Sequence, residues 1–370
     1  MKFLKTLLHI VASLVIVAVT MEFCARIDDL VTYGAPLWGT YTNANLFERD
    51  QFGQRGAPGA RFKKWQLNSL GYRGPELRSG TFRIACIGAS ETFGLYEAAG
   101  QEYPRQLERD LNQWAGRQTF EVVNVAYPGQ SIAAAVLRVP EVVENVKPRV
   151  AVIYPFPAAY AWLPWIKSAT EKGAPDSSPA RFEWRLTERV RIAAKSLLPE
   201  WVQSAIHDVQ TRVRERKIEA STASQPVMDR VPQQNVDAFH ADLLKLVDAL
   251  HQRGVEPVLV THATVFSHPL SPSDRQMLTV WREWIPMLKE DGFIDMEQRM
   301  NQVIRAVAAE RRLVLIDAAV EIPPGNKYFG DFAHFTTQGA HLMAGKIAAG
   351  LEPVLNSEVA QSGGQASPNP

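Results

Sequence analysis

Three side chains at two distant points of the chain have the types and spacing for one reaction. Ser90 lies in Gly88-Ala89-Ser90-Glu91-Thr92-Phe93-Gly94, directly after an apolar run at 82–87. That pattern reads as a buried strand ending in a tight glycine turn that presents a hydroxyl. Far downstream, Asp331-Phe332-Ala333-His334 spaces a carboxylate and an imidazole so that one turn of backbone holds both. A serine hydroxyl is a weak nucleophile, so an imidazole must take its proton and a carboxylate must hold the imidazole in the right tautomer. Ser90 as nucleophile, His334 as base and Asp331 as its orienter would form a Ser-His-Asp hydrolytic site.

The same residues admit other roles. A glycine turn after a strand also cradles phosphate, Ser90 could merely cap a helix beginning near Thr92, and Asp-x-x-His also occurs as a surface pair. The G-x-S-x-G nucleophile elbow is not met, because Thr92 stands where the last glycine should be.

The surrounding elements decide what these groups can reach. Short apolar strands are predicted at 82–87, 120–126, 150–154, 255–261 and 313–317. The run Val150-Ala151-Val152-Ile153-Tyr154 is continuous, as in a buried parallel strand. Helices are predicted at 103–114, 131–146 (with Pro140 a kink or boundary), 236–252, 274–290, 295–311 and 337–350. Strand-helix alternation with about five strands predicts an α/β fold, three-layer α/β/α with a mostly parallel sheet. Ligands of such sheets sit at the carboxyl ends of the strands. Ser90, Gly129 and the aromatic segment 155–165 all follow strand ends.

The organisation predicted is a membrane anchor at 1–26, a stalk or lead-in at 27–75, the α/β domain at 76–352 and a disordered tail at 353–370. Residues 168–234 break the strand-helix rhythm and read as a helical insertion or cap over the strand ends. At the N-terminus Lys2 and Lys5 precede an apolar stretch of about 17–20 residues, just enough to span a bilayer, with Glu22, Arg26, Asp28 and Asp29 after it. The positive-inside rule places the N-terminus in the cytoplasm and the domain outside it. A cleaved signal peptide is the alternative, but no small-x-small site follows the apolar run. Forty Lys and Arg against 39 Asp and Glu give a net charge of +1, without a basic run, so nucleic acid is not an expected partner. Cys24 and Cys86 fall in the anchor and in a core strand, an implausible disulfide.

Taken together, these blocks resemble the SGNH (GDSL-type) hydrolase superfamily over about residues 66–352. Gly88-Ala89-Ser90-Glu91-Thr92 with Gly94 is similar to its first block and Val123-Asn124-Val125-Ala126-Tyr127-Pro128-Gly129 to its glycine block. Asp331-x-x-His334, followed by Phe335 and Gly339, is similar to its last. Asn68-Ser69-Leu70-Gly71-Tyr72-Arg73-Gly74-Pro75-Glu76 resembles a lead-in of membrane-anchored members linked to bacterial surface polysaccharides.

The resemblance implies a serine esterase removing O-acyl groups, acetyl above all, from a cell-surface or exported polysaccharide. The oxyanion would be held by the backbone N–H groups of Ser90 and Gly129. Two departures stand out. Ala89 replaces the usual acidic residue, and the third block has no Asn, Ala158 lying where that oxyanion donor is expected. One missing donor is worth about 2.7–4 kcal/mol in the transition state. Asn124 and Gln130 are candidate substitutes, although Asn124 also suits a strand end.

Phe156, Tyr160, Trp162 and Trp165 could stack on sugars or be core, and His262 could line the cleft or be structural. The reaction calls for no cofactor and no metal, and the histidines lack metal-binding spacing. An O-acyltransferase would use the same acyl-enzyme. A non-catalytic polysaccharide-binding or assembly module is the reading the missing Asn favours.

Overall fold

The structure is a computed structural model. It describes residues 2–363 apart from 51, 165, 167–183, most of 198–226, 267–268 and 283–284. Helix α1 (Lys2–Tyr33) carries the apolar stretch, with a mean hydropathy of 2.2 in its most apolar window and only 6% of that window buried. It runs past the expected end at residue 26, because its second half is held by charge. Glu22 bonds Arg26 one turn on at 2.7 Å, and Arg26 donates to the Leu37 carbonyl.

The lead-in is more ordered than a stalk. Strands β1 (Phe47–Asp50) and β2 (Gly53–Gly56) form one antiparallel hairpin, β3 (Arg61–Phe62) and β4 (Trp65–Gln66) another. Leu46 and Leu67 from this region form a small second core with Phe93 and Ala126. Both Phe93 and Ala126 belong to segments flanking the predicted site.

The sheet follows. Strand β5 (Phe82–Gly88) leads into the short helix α2 (Ser90–Phe93), then α3 (Tyr103–Trp114) and β6 (Phe120–Asn124). Helix α4 (Ile132–Val146) is capped by Ser131, whose side chain accepts from the Ala134 N–H, and it continues through Pro140. Strand β7 (Val150–Tyr154) is followed by a 3-10 turn, Pro157–Ala161. The insertion contributes α5 (Arg185–Leu197). Then come α6 (Gln233–His251), β8 (Glu256–Val260), α7 (Pro272–Trp281), α8 (Glu290–Arg311), β9 (Val314–Ile316), α9 (Ala318–Glu321) and α10 (Thr337–Gly363).

Strands β5 to β9 form one sheet in the order β6-β5-β7-β8-β9, every pair parallel. Helix α3 packs on α10, whereas α4, α6 and α8 pack in succession, giving the three layers expected from the alternation. β5 sits between β6 and β7, which the chain reaches in opposite directions. Its carboxyl end is therefore the topological switch point, where a crevice opens in such sheets.

Several boundaries differ from expectation. The helix predicted at 274–290 ends at Trp281, and Pro286, which cannot donate to a helix, precedes α8. Helix α10 reaches Gly363 instead of ending at 350 in a disordered tail, its apolar stripe continuing through buried Leu351 and Leu355. Helix α5 docks on α1, where the Glu22 carboxylate accepts from the N–H groups of Arg185 and Leu186 and Arg189 pairs with Asp28 and Asp29. Of the stretch expected as a cap, 167–183 and most of 198–226 lie outside the described residues, as do Trp165 and 364–370.

Arg73, in the lead-in, is the strut between the outer hairpins and the switch point. It is 4% exposed, pairs with Glu102 at 3.1 Å, donates to the carbonyls of Phe93 and Gly94, and lies over the Phe93 ring. Removing one partner of such a buried pair leaves the other charge uncompensated. Arg73→Ala should lower stability by about 3–5 kcal/mol in denaturant unfolding; a change within about 0.5 kcal/mol, the range of ordinary surface substitutions, would contradict the role.

Candidate active site

The nucleophile turn is built by a steric requirement at Gly88. A Cβ there would lie 2.0 Å from Thr92 Oγ1 and 2.9 Å from the Tyr154 carbonyl oxygen. Only glycine lets the first turn of α2 fold back on the end of β5, and this accounts for the four-residue spacing from Gly88 to Thr92. Thr92 Oγ1 bonds Tyr103 Oη at 3.0 Å, and the Thr92 carbonyl accepts from Asn124 Nδ2 at 2.8 Å. Gly94, with φ of 86°, ends the turn. Ser90 is thereby the first residue of a helical turn at the sheet's switch point, and the residue is 8% exposed.

The other half comes from the loop before α10. Asp331 Oδ1 accepts from the N–H groups of Ala333 (3.1 Å) and His334 (2.9 Å), so the loop folds around its own carboxylate. Phe335, fully buried, anchors it, and Gly330 N–H returns to the His334 carbonyl. His334 Nε2 lies 2.8 Å from Ser90 Oγ, and His334 Nδ1 lies 2.8 Å from Asp331 Oδ2. The structure thus joins all three residues singled out by their spacing. With Nδ1–H donated to Asp331, Nε2 is left as acceptor for the serine hydroxyl.

The electrostatics favour a basic imidazole. Burial alone would pull the His334 pKa down, but the bond to Asp331 and the charges of Glu91, Asp331 and Glu97 outweigh it and leave it raised. Burial pushes Asp331 up, yet its bond from His334, the His334 charge and two backbone N–H groups bring it net below the usual carboxylate range. Tyr96 donates its hydroxyl to Asp331 Oδ2 at 2.8 Å, with its ring edge-on to His334 at 5.3 Å and 53% exposed. Burial drives Glu97 up to about 7, against the pull of Arg73.

The remaining residues are placed less uniformly. Gly129 has φ of 78° and open space where a Cβ would sit, as a turn glycine after β6 requires. Asn124 is spent on the Thr92 carbonyl and the Ala126 N–H, so it is a strand-end support and not a spare oxyanion donor. Gln130 is 5% exposed and lines a small cavity with Ile87, Ile132, Ile153 and Leu246, which turns it toward the core. Ala158 is fully buried.

Of the aromatic residues read as substrate contacts, Phe156 packs on His262 and Trp281, and Tyr160 is fully buried with its hydroxyl on Asp242. Both are core. Among the described ones only Trp162 is open to solvent, at 47%. His262 is 1% exposed, stacked on Tyr154 and bonded through Nδ1 to Glu297, so its ring does not line an open cleft. Two residues near the site had no sequence signal. Glu91 follows the serine like any turn carboxylate, and Tyr96 lies in a loop of no clear period; only their partners in space mark them.

No family model matches the chain, and no curated protein does. Solved structures similar to it include a lipase/acylhydrolase from Enterococcus faecalis, 16% identical with a TM-score of 0.43, covering 74% of this chain and 96% of that one. A catalytic mutant of an acetylxylan esterase from Geobacillus stearothermophilus is 14% identical with a TM-score of 0.43, over 74% and 96%. A GDSL-like lipase from Bacteroides thetaiotaomicron is 14% identical with a TM-score of 0.40, over 74% and 89%. At these identities and scores the likeness carries no weight beside the triad's own geometry.

The two turn glycines should respond differently to a methyl group. Gly88→Ala, which meets backbone and Thr92 at once, should cost about 3 kcal/mol or more, at or beyond the upper end of overpacking costs. Gly129→Ala, strained only by its positive φ, should cost about 1 kcal/mol. Denaturant unfolding of the pair checks the order; equal costs would contradict it.

Proposed function

We propose that this chain is a serine esterase of the SGNH type that removes O-acyl groups, acetyl above all, from a cell-surface or exported polysaccharide. The observation that carries the reading is the continuous line Ser90 Oγ–His334 Nε2 and His334 Nδ1–Asp331, each step at 2.8 Å. Ser90 Oγ attacks the ester carbonyl as His334 takes its proton. The tetrahedral oxyanion is held by the N–H groups of Ser90 and Gly129. The protonated His334 then gives its proton to the departing sugar oxygen, leaving acyl-Ser90. Water, deprotonated by His334, attacks the acyl carbonyl, and Ser90 leaves with the proton returned.

Tyr96, half exposed beside His334, supports a carbohydrate leaving group, because an aromatic face next to the reacting atoms is a platform for a sugar ring. Helix α1 supports a single membrane span with the N-terminus in the cytoplasm, holding the domain at the outer face of that membrane. The site then works on polymer outside the cytoplasm, through an acyl-enzyme that a sugar hydroxyl could also resolve.

The test is product analysis with the full chain in detergent. Acetate should be released from an O-acetylated polysaccharide, and Ser90→Ala should lower that rate by at least about 1000-fold with little change in Tm. Release of acetate only onto an added sugar acceptor would mark a transferase. An unchanged rate in Ser90→Ala would overturn the assignment.

A further inference from the structure

Ser90 has a second acid–histidine pair on its other side. Glu91 Oε2 lies 3.3 Å from Ser90 Oγ, and Glu91 is 2% exposed. Its other oxygen faces His262 Nε2 at 3.6 Å, and neither of those atoms has a hydrogen-bond partner. His262 Nδ1 lies 2.8 Å from Glu297 Oε2. The His262 backbone is clamped at both ends by one side chain, Asn301, which accepts from its N–H at 2.7 Å and donates to its carbonyl at 2.9 Å. Its ring is stacked on Tyr154. A buried carboxylate this rigidly supported, next to a reactive hydroxyl, is more than a solvated turn residue.

We propose that Glu91, held by His262 and Glu297, is the second acceptor of the Ser90 hydroxyl and makes His334 a stronger base. Ser90 has one hydroxyl hydrogen and two acceptors within reach. When His334 is neutral, that hydrogen goes to His334 Nε2, the nearer. When His334 is protonated, its Nε2–H donates to Ser90 Oγ, and the hydroxyl hydrogen must turn to Glu91 Oε2. Glu91 therefore stabilises the protonated form of His334 through Ser90 and through its own charge. His262 lies between two carboxylates: its charge at 3.6 Å, with that of His334, outweighs desolvation and holds the Glu91 carboxyl below its ordinary pKa.

Other groups face this line. Asp331, Tyr96 and Glu97 surround His334, and Tyr103 and Tyr154 lie beside Glu91. Among the described residues, Glu91 is the titratable group in contact with both the Ser90 hydroxyl and the His262 ring. The consequence for turnover rests on the reading of Ser90 and His334 as nucleophile and base; the consequence for the His334 proton does not.

The test is a histidine-selective NMR titration of the full chain in detergent, with the His334 signal identified by its loss in His334→Gln. Glu91→Gln removes the charge at constant size and should move the His334 midpoint to lower pH by about one unit, a tenfold change in proton affinity. The acid limb of kcat/KM for p-nitrophenyl acetate should move the same way. His262→Gln should reproduce the shift, since Glu91 without its counter-ion takes up a proton, and the double variant should add nothing further. Glu297→Gln leaves the neighbours of Ser90 in place and should give a smaller shift of the same sign, which keeps the test open if Glu91→Gln fails to fold. A His334 midpoint coincident with wild type in the folded variants would overturn the proposal. Absence of hydrolysis by the wild-type chain would instead count against the esterase reading and leave the titration result standing.

Discussion

The site depends on the absence of a side chain at Gly88. Thr92 occupies the space a Cβ would need, and this contact folds α2 tightly back on the end of β5. The rest of the architecture secures that fold-back. Tyr103 from α3 takes the Thr92 hydroxyl, Asn124 from β6 takes its carbonyl, and Arg73 from the lead-in takes the carbonyls of Phe93 and Gly94. Three separate parts of the chain thus converge on one helical turn. Its purpose is to hold a single hydroxyl still at the sheet's switch point, within reach of an imidazole carried by an independent loop.

Charge is the second theme. His334 lies in a largely buried setting where an isolated imidazolium would be costly. Asp331 compensates from one side and Glu91 from the other; two backbone N–H groups and Tyr96 donate to Asp331, while Glu91 faces the His262 ring as an ion pair at 3.6 Å. A basic imidazole is what proton transfer from a serine hydroxyl requires, and the buried charges around His334 favour one.

How much of this was legible in the residues follows from the range of each interaction. The five strands were readable because each is a short apolar run within one window, and Asp331 with His334 because a three-residue spacing is local. Linking Ser90 to that pair needed only the order of blocks. The two outer hairpins escaped because strands of two to four residues leave no periodic trace. Glu91 escaped because its partner His262 arrives from the end of β8, two strands away and some 170 residues on, with Glu297 of α8 behind it. The aromatic residues Phe156 and Tyr160 misled for a related reason. Aromatic side chains after a strand fill either a cleft or a core, and only packing decides; here it is the core, and the exposed ring by the triad is Tyr96.

The most direct test of the account is fluorophosphonate labelling of the full chain in detergent, with the modified peptide located by mass spectrometry. The account predicts a single labelled serine, Ser90, and loss of that label in His334→Ala while the protein remains folded. A folded wild-type chain that takes no label, or a label on Ser90 that persists without His334, would contradict it.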